Sequence, residues 1–340
     1  FLCALILLTV FWFFKHYHLL VSEEKIKSFT SREGGFLYNN LILVTMCFIV
    51  LWGTLFPIIS EAWNGEKIHI GQNYFNQLNV PIGIFLLFLM GIGPLLSWKK
   101  TSSSTLISNF KIPMISSFII GSLYMVFTDE FRFYPFITLL GIVFTLTAIS
   151  IEFKKSFDSH YSKDSSFFRA ILNLLSQNRH KNGGYIVHIG ITLLFVGFVG
   201  RAFEKETEFV LKPDEQFYFA NYNFRLNSVT TEQRNNHLAA ISNMDVTDES
   251  NNYITTLYPE KRIYFYRDPD TEKHQPHSEL DIYSTMNKDI YSVFSSYDSD
   301  TKEAYFKIMI NPLVNWVWIG GIMIVLGSLF AFWPSSSRRD

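Results

Sequence analysis

The chain has 340 residues, of which 48% are hydrophobic and only 17% charged, well below the roughly 25% charge of an ordinary soluble domain. Its net charge of −1 and the absence of a basic stripe exclude a nucleic-acid binder read from electrostatics. A mean hydropathy of +0.15 averages strongly apolar stretches with one long polar stretch.

A membrane span needs about 20 mostly apolar residues. Taken in chain order, seven stretches qualify: 1–20, 39–61, 80–98, 112–128, 133–153, 184–201 and 312–333. The first begins at Phe1 inside an apolar run with no charged segment ahead of it, so it does not read as a signal peptide; a truncated membrane protein is the expectation. Cys3 and Cys47 both sit in apolar runs, and without a CxxC they offer neither a dithiol redox site nor a structural zinc site. Stretches such as VPIGIFLLFLMGIGPLL (80–96) carry no charge, whereas a helix of a soluble protein needs a polar face. The spans 112–128 and 133–153 are joined by a tight link, residues 129–132, and form either a helical hairpin or a pair with one partly re-entrant member.

Lys and Arg in the short loops set the orientation. Loops 21–38, 99–111 and 154–183, with the C-terminal tail, all fall on one side and carry fourteen of them, Arg32, Lys100 and Lys181 included. The short loops on the other side, 62–79 and 129–132, carry only Lys67 and Arg132. The first side is therefore expected to be cytoplasmic, and segment 202–311 faces outward. That segment is polar, with aromatic and β-branched residues in short alternating runs such as QFYFANYNFRLNSV (216–229), YITTLY (253–258), KRIYFY (261–266) and AYFKIMI (304–310). Turn signals, TDESNN (247–252) and RDPDTEK (267–273), separate them, so the segment reads as a small antiparallel β domain, barrel or sandwich. The expected fold is a polytopic α-helical membrane protein of about seven transmembrane helices with an inserted extracytoplasmic antiparallel β domain. Its parts are a six-helix region over 1–201, the β domain over 202–311, and a final helix with a cytoplasmic tail over 312–340.

His188 is the sharpest chemical signal. It lies about four residues into a span, in NGGYIVHIGITLLFVGFVG (182–200), and an ionisable group inside a membrane helix is a functional hypothesis by default. A neutral imidazole is also a common axial ligand for haem iron. Gly184 at i−4 and Thr192 at i+4 share its helical face, and a glycine one turn away leaves room for a flat macrocycle or for a closely packed helix. Gly190, Gly197 and Gly200 suit tight packing in lipid. The plainer alternative, an interfacial histidine bonded to a neighbouring carbonyl, stays open on this residue alone. His16, His18 and His69 read as interfacial or loop residues, and His160, His180 and His237 lie in polar segments. His274 and His277, three apart with no third ligand nearby, do not make a metal site. Trp52, Trp63, Trp98, Trp316, Trp318 and Trp333 fall at span ends, as an aromatic belt does. No nucleophile elbow, phosphate loop, HExxH or GxGxxG is present, which leaves ATP hydrolysis and proteolysis without local support.

Several segments taken together resemble one family. LWGTLFP (51–57), YFNQLNVPIGIFLLFLMGIGPLLSW (74–98), NGGYIVHIG (182–190), LYPEKRIYF (257–265), KDIYSV (288–293) and NPLVNWVWIGG (311–321) are similar in kind and order to the CcmF/NrfE family of cytochrome c-type biogenesis proteins. SREGGFLYNN (31–40) fits as well. The resemblance implies a haem lyase of the bacterial inner membrane that receives haem from an extracytoplasmic chaperone and helps join it to the two CxxCH thiols of apocytochrome c. It also implies a b-type haem held in the membrane by two histidines, one of them the histidine of the GGYxxHxG motif, here His188. On that reading His188 ligates the haem iron, Gly184 borders the haem b, and the haem relays electrons, with quinol as a candidate donor. Implied partners are haem, a haem chaperone, apocytochrome c with its thiol-reducing and presenting subunits, and the lipid bilayer. The family's WGGxWxWD segment, the two external histidines that flank it and the second membrane histidine have no counterpart in this sequence. The chain alone is therefore not expected to complete haem ligation. Two other classes also fit the spans: a haem or small-molecule transporter, and a non-catalytic scaffold of a cytochrome c assembly complex.

Overall fold

The computed structural model of the chain describes residues 2–20, 28–98, 100–128, 130–161, 179–264 and 275–333. Among them, α1 (Leu2–Leu20), α2 (Arg32–Asn64), α3 (Gln72–Leu95), α4 (Ser103–Phe127), α5 (Phe133–Tyr161) and α6 (Arg179–Gly200) precede the strands. A short 3-10 turn, Arg201–Phe203, leads into β1 (Lys205–Leu211), β2 (Gln216–Phe219), β3 (Tyr222–Gln233), β4 (His237–Asp248) and β5 (Tyr253–Leu257). There follow β6 (Glu260–Tyr264), β7 (Gln275–Glu279), β8 (Asp281–Ser284), β9 (Lys288–Asp298) and β10 (Glu303–Pro312), and α7 (Val314–Phe332) closes the chain.

Six of these helices, α2 to α7, are long and apolar enough to cross a membrane; the seventh expected span is represented by a shorter apolar helix, Ala4–Leu19 within α1. Two helices start well before their apolar runs because serines cap them. The Ser31 hydroxyl accepts from the Gly34 N–H at 3.1 Å, and the Ser102 hydroxyl from the Thr105 N–H at 3.2 Å, each satisfying an amide that the first turn leaves open. A polar first turn is thereby made helical, and Arg32, expected in a loop, becomes the first residue of α2. At its far end α2 stops at Gly65, whose φ of 72° closes the helix without a Cβ penalty.

α4 and α5 pack against each other, and each is long and apolar enough to cross a membrane. Ser117 donates to the Leu140 carbonyl at 3.1 Å, and the Ser116 and Thr147 hydroxyls lie 3.0 Å apart. Such side-chain bonds bring helices together where apolar surface gives no preference over lipid. Thr145 of α5 likewise donates to the Leu87 carbonyl of α3 at 3.0 Å. Beneath that bond Leu95, Phe144 and Ala148 form a buried cluster.

The β region consists of two antiparallel sheets. One runs β1-β10-β9-β8; the other runs β2-β3-β4-β6-β7, with β5 also on β4. Alternate residues of both sheets point to one core, which holds Phe209, Phe224, Met244, Val246, Phe294, Phe306 and Ile308. Phe294 and Phe306 stack at 5.0 Å across β9 and β10. Burial of each such ring contributes about 1.5–3 kcal/mol, and the core is continuous between the sheets, which makes the region a sandwich.

The sandwich is tied to the membrane helices at both ends. Leu313 adopts a left-handed backbone, φ 63°, as the chain turns from β10 into α7. Its N–H donates to the Asn287 carbonyl at 2.9 Å, and Asn315 donates to the Thr285 carbonyl at 2.7 Å. On the other side of the junction the Arg132 guanidinium lies 5.2 Å from the Phe203 ring. The α4–α5 link is thus beside the base of the sandwich, on the same face of the helical region.

Candidate functional site

α6 has two faces with different chemistry. Gly183, Gly190 and Gly197 recur at seven-residue intervals, two helical turns each, and so share one face. A Cβ on Gly183 would stand 2.6 Å from the Ala331 Cβ, and one on Gly190 would stand 2.8 Å from the Gly320 carbonyl oxygen. Gly197 and Gly200 would meet Val317 and Pro312. This face is closed against α7, as the small-residue pattern predicts.

The other face carries Lys181, Tyr185, His188, Ile191 and Phe195, which look into a cavity of about 440 Å3. Its remaining walls are Arg32, Phe36, Asn39 and Leu43 of α2 and Leu86, Met90, Gly93 and Pro94 of α3. That volume falls in the range of small-molecule and cofactor sites, and so does the lining, mostly apolar with a few convergent polar groups.

His188 is held in place by its backbone: the Thr192 hydroxyl donates to the His188 carbonyl at 2.8 Å. The ring is different. Nδ1 is buried and has no hydrogen-bond partner, a state that costs about 1–3 kcal/mol for a buried polar group. The Nδ1 atom therefore makes no bond to a neighbouring carbonyl. A Cβ added at Gly184 would meet nothing within 4 Å, in contrast to the glycines that face α7. Among the described residues, space is open one turn below His188.

Two cations belong to the same cavity. Arg32 donates through Nη2 to the Pro94 carbonyl at 3.1 Å and lies 5.4 Å from the Trp98 ring. Its Nε is buried without a partner. Lys181 stands 5.6 Å from the Tyr185 ring. Both sit at the end of the helical region away from the sandwich, because α2 and α6 start there and α6 runs from that end to β1. Sequence reasoning counted Arg32 and Lys181 only as loop charges. The spacing of Lys181, Tyr185 and His188 on one helical face is a signal for Lys181; no local pattern points to Arg32.

The other histidines are placed apart from this cavity. His16 bonds the Trp12 carbonyl at 3.1 Å and stacks on its ring at 4.8 Å, while His18 and His69 are exposed. His180 lies 6.3 Å from the Phe332 ring. In the sandwich, His237 packs 4.9 Å from the Tyr264 ring and bonds Asn236 at 2.7 Å, and His277 stands edge-on to the same tyrosine at 5.5 Å. The side chain of His160, and His274 as a whole, lie outside the described residues. Trp98 lies beside Arg32, and Trp316 is half-buried where α7 begins.

Three comparisons bear on this arrangement. Residues 202–312 match the family described as CcmF C-terminal beta-sandwich. The chain is 27% identical over 302 residues to the cytochrome c-type biogenesis protein CcmF of Pseudomonas fluorescens, a match covering 88% of this chain and 43% of that one. It is 27% identical over 324 residues to the cytochrome c-type biogenesis protein NrfE of Haemophilus influenzae, covering 94% of this chain and 47% of that one. A solved structure of the cytochrome c haem lyase CcmF shares the fold, with a TM-score of 0.72 at 19% identity over 90% of this chain and 46% of that chain. The chain spans a little under half the length of the relatives it matches.

Proposed function

We propose that this chain, a C-terminal part of a CcmF-family protein, holds a haem b within the membrane through His188 and so serves the attachment of haem to the CxxCH thiols of apocytochrome c. The observation that carries the proposal is the unpartnered His188 ring lining a cavity of about 440 Å3. An imidazole with no bond to a neighbour is available to a metal, whose coordination would remove the cost of leaving it unpaired. The apolar walls, among them Leu86, Met90, Ile191 and Phe195, suit the face of a porphyrin and exclude water from the ligand bond. Gly184 leaves the space beside it open.

A haem bound there supplies one-electron chemistry, set by its ligands and by the polarity around it. The chain's own work is to bind and orient. Thr192 fixes the backbone of His188 through its carbonyl, and α7, closed against the opposite face of α6, keeps that helix from rotating. The remaining assignments are read from the loop charges and the family likeness. The sandwich faces the periplasm and the C-terminus the cytoplasm of a bacterial inner membrane. The partners are a haem chaperone and apocytochrome c with the subunits that reduce and present its thiols, and quinol is a candidate donor of electrons.

The test is His188→Ala in the full-length protein purified from membranes. The substituted protein is expected to lose the absorption band of the membrane haem and its iron content per chain. His180→Ala, whose ring lies against Phe332 instead of the cavity, is expected to keep both. An unchanged band after His188→Ala would end the assignment.

A further inference from the structure

We propose that Arg32 and Lys181 form a cationic rim that binds the carboxylate groups of the porphyrin held by His188, and so fix which way round it enters the cavity. The proposal rests on the reading of His188 as the ligand. It starts, however, from a separate observation: two cations from different helices line one cavity, and neither is paired with a carboxylate among the described ion pairs. The Arg32 guanidinium is positioned by the Pro94 carbonyl at 3.1 Å and by Trp98 at 5.4 Å, yet its Nε is buried and unsatisfied. The nearby carboxylate on α5, Glu152, is engaged by Lys155 at 2.9 Å.

Lys181 lies two helical turns from His188, about 10 Å along α6. A ligand bonded at its centre to His188 and lying along that face therefore carries its edge toward Lys181 and, across the cavity, Arg32. Porphyrin carboxylates are on one edge only. With cations at one end of the cavity and apolar side chains at the other, only one orientation pairs charge with charge and apolar edge with apolar wall. Arg suits the carboxylate role through its fork of donors, and Lys through a mobile point charge.

The experiment compares haemin with haemin dimethyl ester, in which both carboxylates are blocked. Each is titrated by its absorption band into full-length protein prepared from haem-depleted cells. The wild-type protein is expected to bind haemin about tenfold or more tightly than the diester, the effect of charge-assisted hydrogen bonds. Arg32→Gln with Lys181→Gln should bring haemin affinity down to that of the diester and so erase the preference, and an unchanged far-ultraviolet circular dichroism spectrum shows that the variant is folded. Arg32→Lys with Lys181→Arg should keep most of it. Equal affinity of the wild-type protein for the two porphyrins would overturn the rim, as would a doubly substituted protein that binds haemin as the wild type does. If that variant keeps its haemin affinity but loses co-purified phosphatidylglycerol, the rim belongs to lipid headgroups and the proposal fails. His188→Ala separates the two readings: if it leaves both spectra unchanged the ligand assignment falls, while the preference for free carboxylates still decides the rim. A wild-type protein that binds neither porphyrin sinks both.

Discussion

The backbones of Gly190 and Gly320 meet where α6 crosses α7: a methyl on Gly190 would fall 2.8 Å from the Gly320 carbonyl oxygen, and one on Gly320 would fall 2.5 Å from that of Gly190. In lipid, apolar side chains gain nothing by preferring each other, so helices associate by close backbone approach and dispersion. The contact determines which face of α6 remains for the cavity.

Alanine at either position should therefore force the helices apart. Gly190→Ala and Gly320→Ala are each expected to destabilise the protein by about 1–3 kcal/mol, the usual cost of overpacking. Gly321→Ala, with nothing within 4 Å of the added carbon, is the control and should be neutral. Thermal denaturation of the detergent-solubilised protein, followed by loss of soluble protein or by protease resistance, measures the difference.

Gly184 makes the opposite prediction. Its added carbon meets open space, so Gly184→Leu should leave thermal stability within about 0.5 kcal/mol of wild type. It should nevertheless lower haem per chain by filling the room beside His188. A leucine variant with full haem content removes Gly184 from the site.

The sandwich can be weakened without touching the cavity. Phe294 is fully buried and stacks on Phe306, and Phe294→Ala should cost about 3–5 kcal/mol. Hydrogen exchange should rise along β9 and β10, whereas amides of α6 keep their protection. Exchange that rises equally in both regions would mean that they unfold as one cooperative unit.

Acid should act on a turn of the sandwich through Asp248. Its carboxylate accepts the Asn252 side-chain amide at 2.9 Å and the Asn252 and Ser250 N–H groups at 2.8 Å each, and these donors, the Asn252 amide first, hold it below the ordinary value of 3.8. A group depressed in the folded state adds stability that is fully present above its unfolded pKa and fades as pH falls through the folded one. Melting should thus be insensitive to this group near neutral pH and decline as pH falls through and below the ordinary carboxylate value of 3.8. Asp248→Asn should flatten that decline, and identical slopes in the two proteins would reject it.

Hydropathy alone located the apolar centres of α2 to α7, and the alternation in QFYFANYNFRLNSV and AYFKIMI placed β2, β3 and β10. It missed helical turns that are polar: Arg32–Tyr38 in α2, Gln72–Asn79 in α3 and Ser103–Lys111 in α4. In α2 and α4 those turns are decided by the caps Ser31 and Ser102, and a span scale does not register a hydroxyl; α3 starts at Gly71 without a side-chain cap. β4, HLAAISNMDVTD, was also passed over, since small and polar residues fill its inward positions beside Met244 and Val246. At the site, His188 and Gly184 were visible because one helix carries them. The opposing wall was not, because Arg32 and Pro94 come from segments distant in the sequence that meet only in the fold, through the 3.1 Å bond between them and the bond from the Arg32 N–H to the Ser97 carbonyl.

The contact of α6 with α7 has a consequence for how the protein is made. α6 leaves the ribosome and enters the bilayer before any of the ten described strands exists, and its glycine face has no partner until the entire sandwich has been synthesised and α7 follows. Long-range closure of this kind is slow, and an uncovered helix face invites wrong pairing in the meantime. On the proposed role of His188, haem loading should then be a late event in biogenesis, gated by translation of α7.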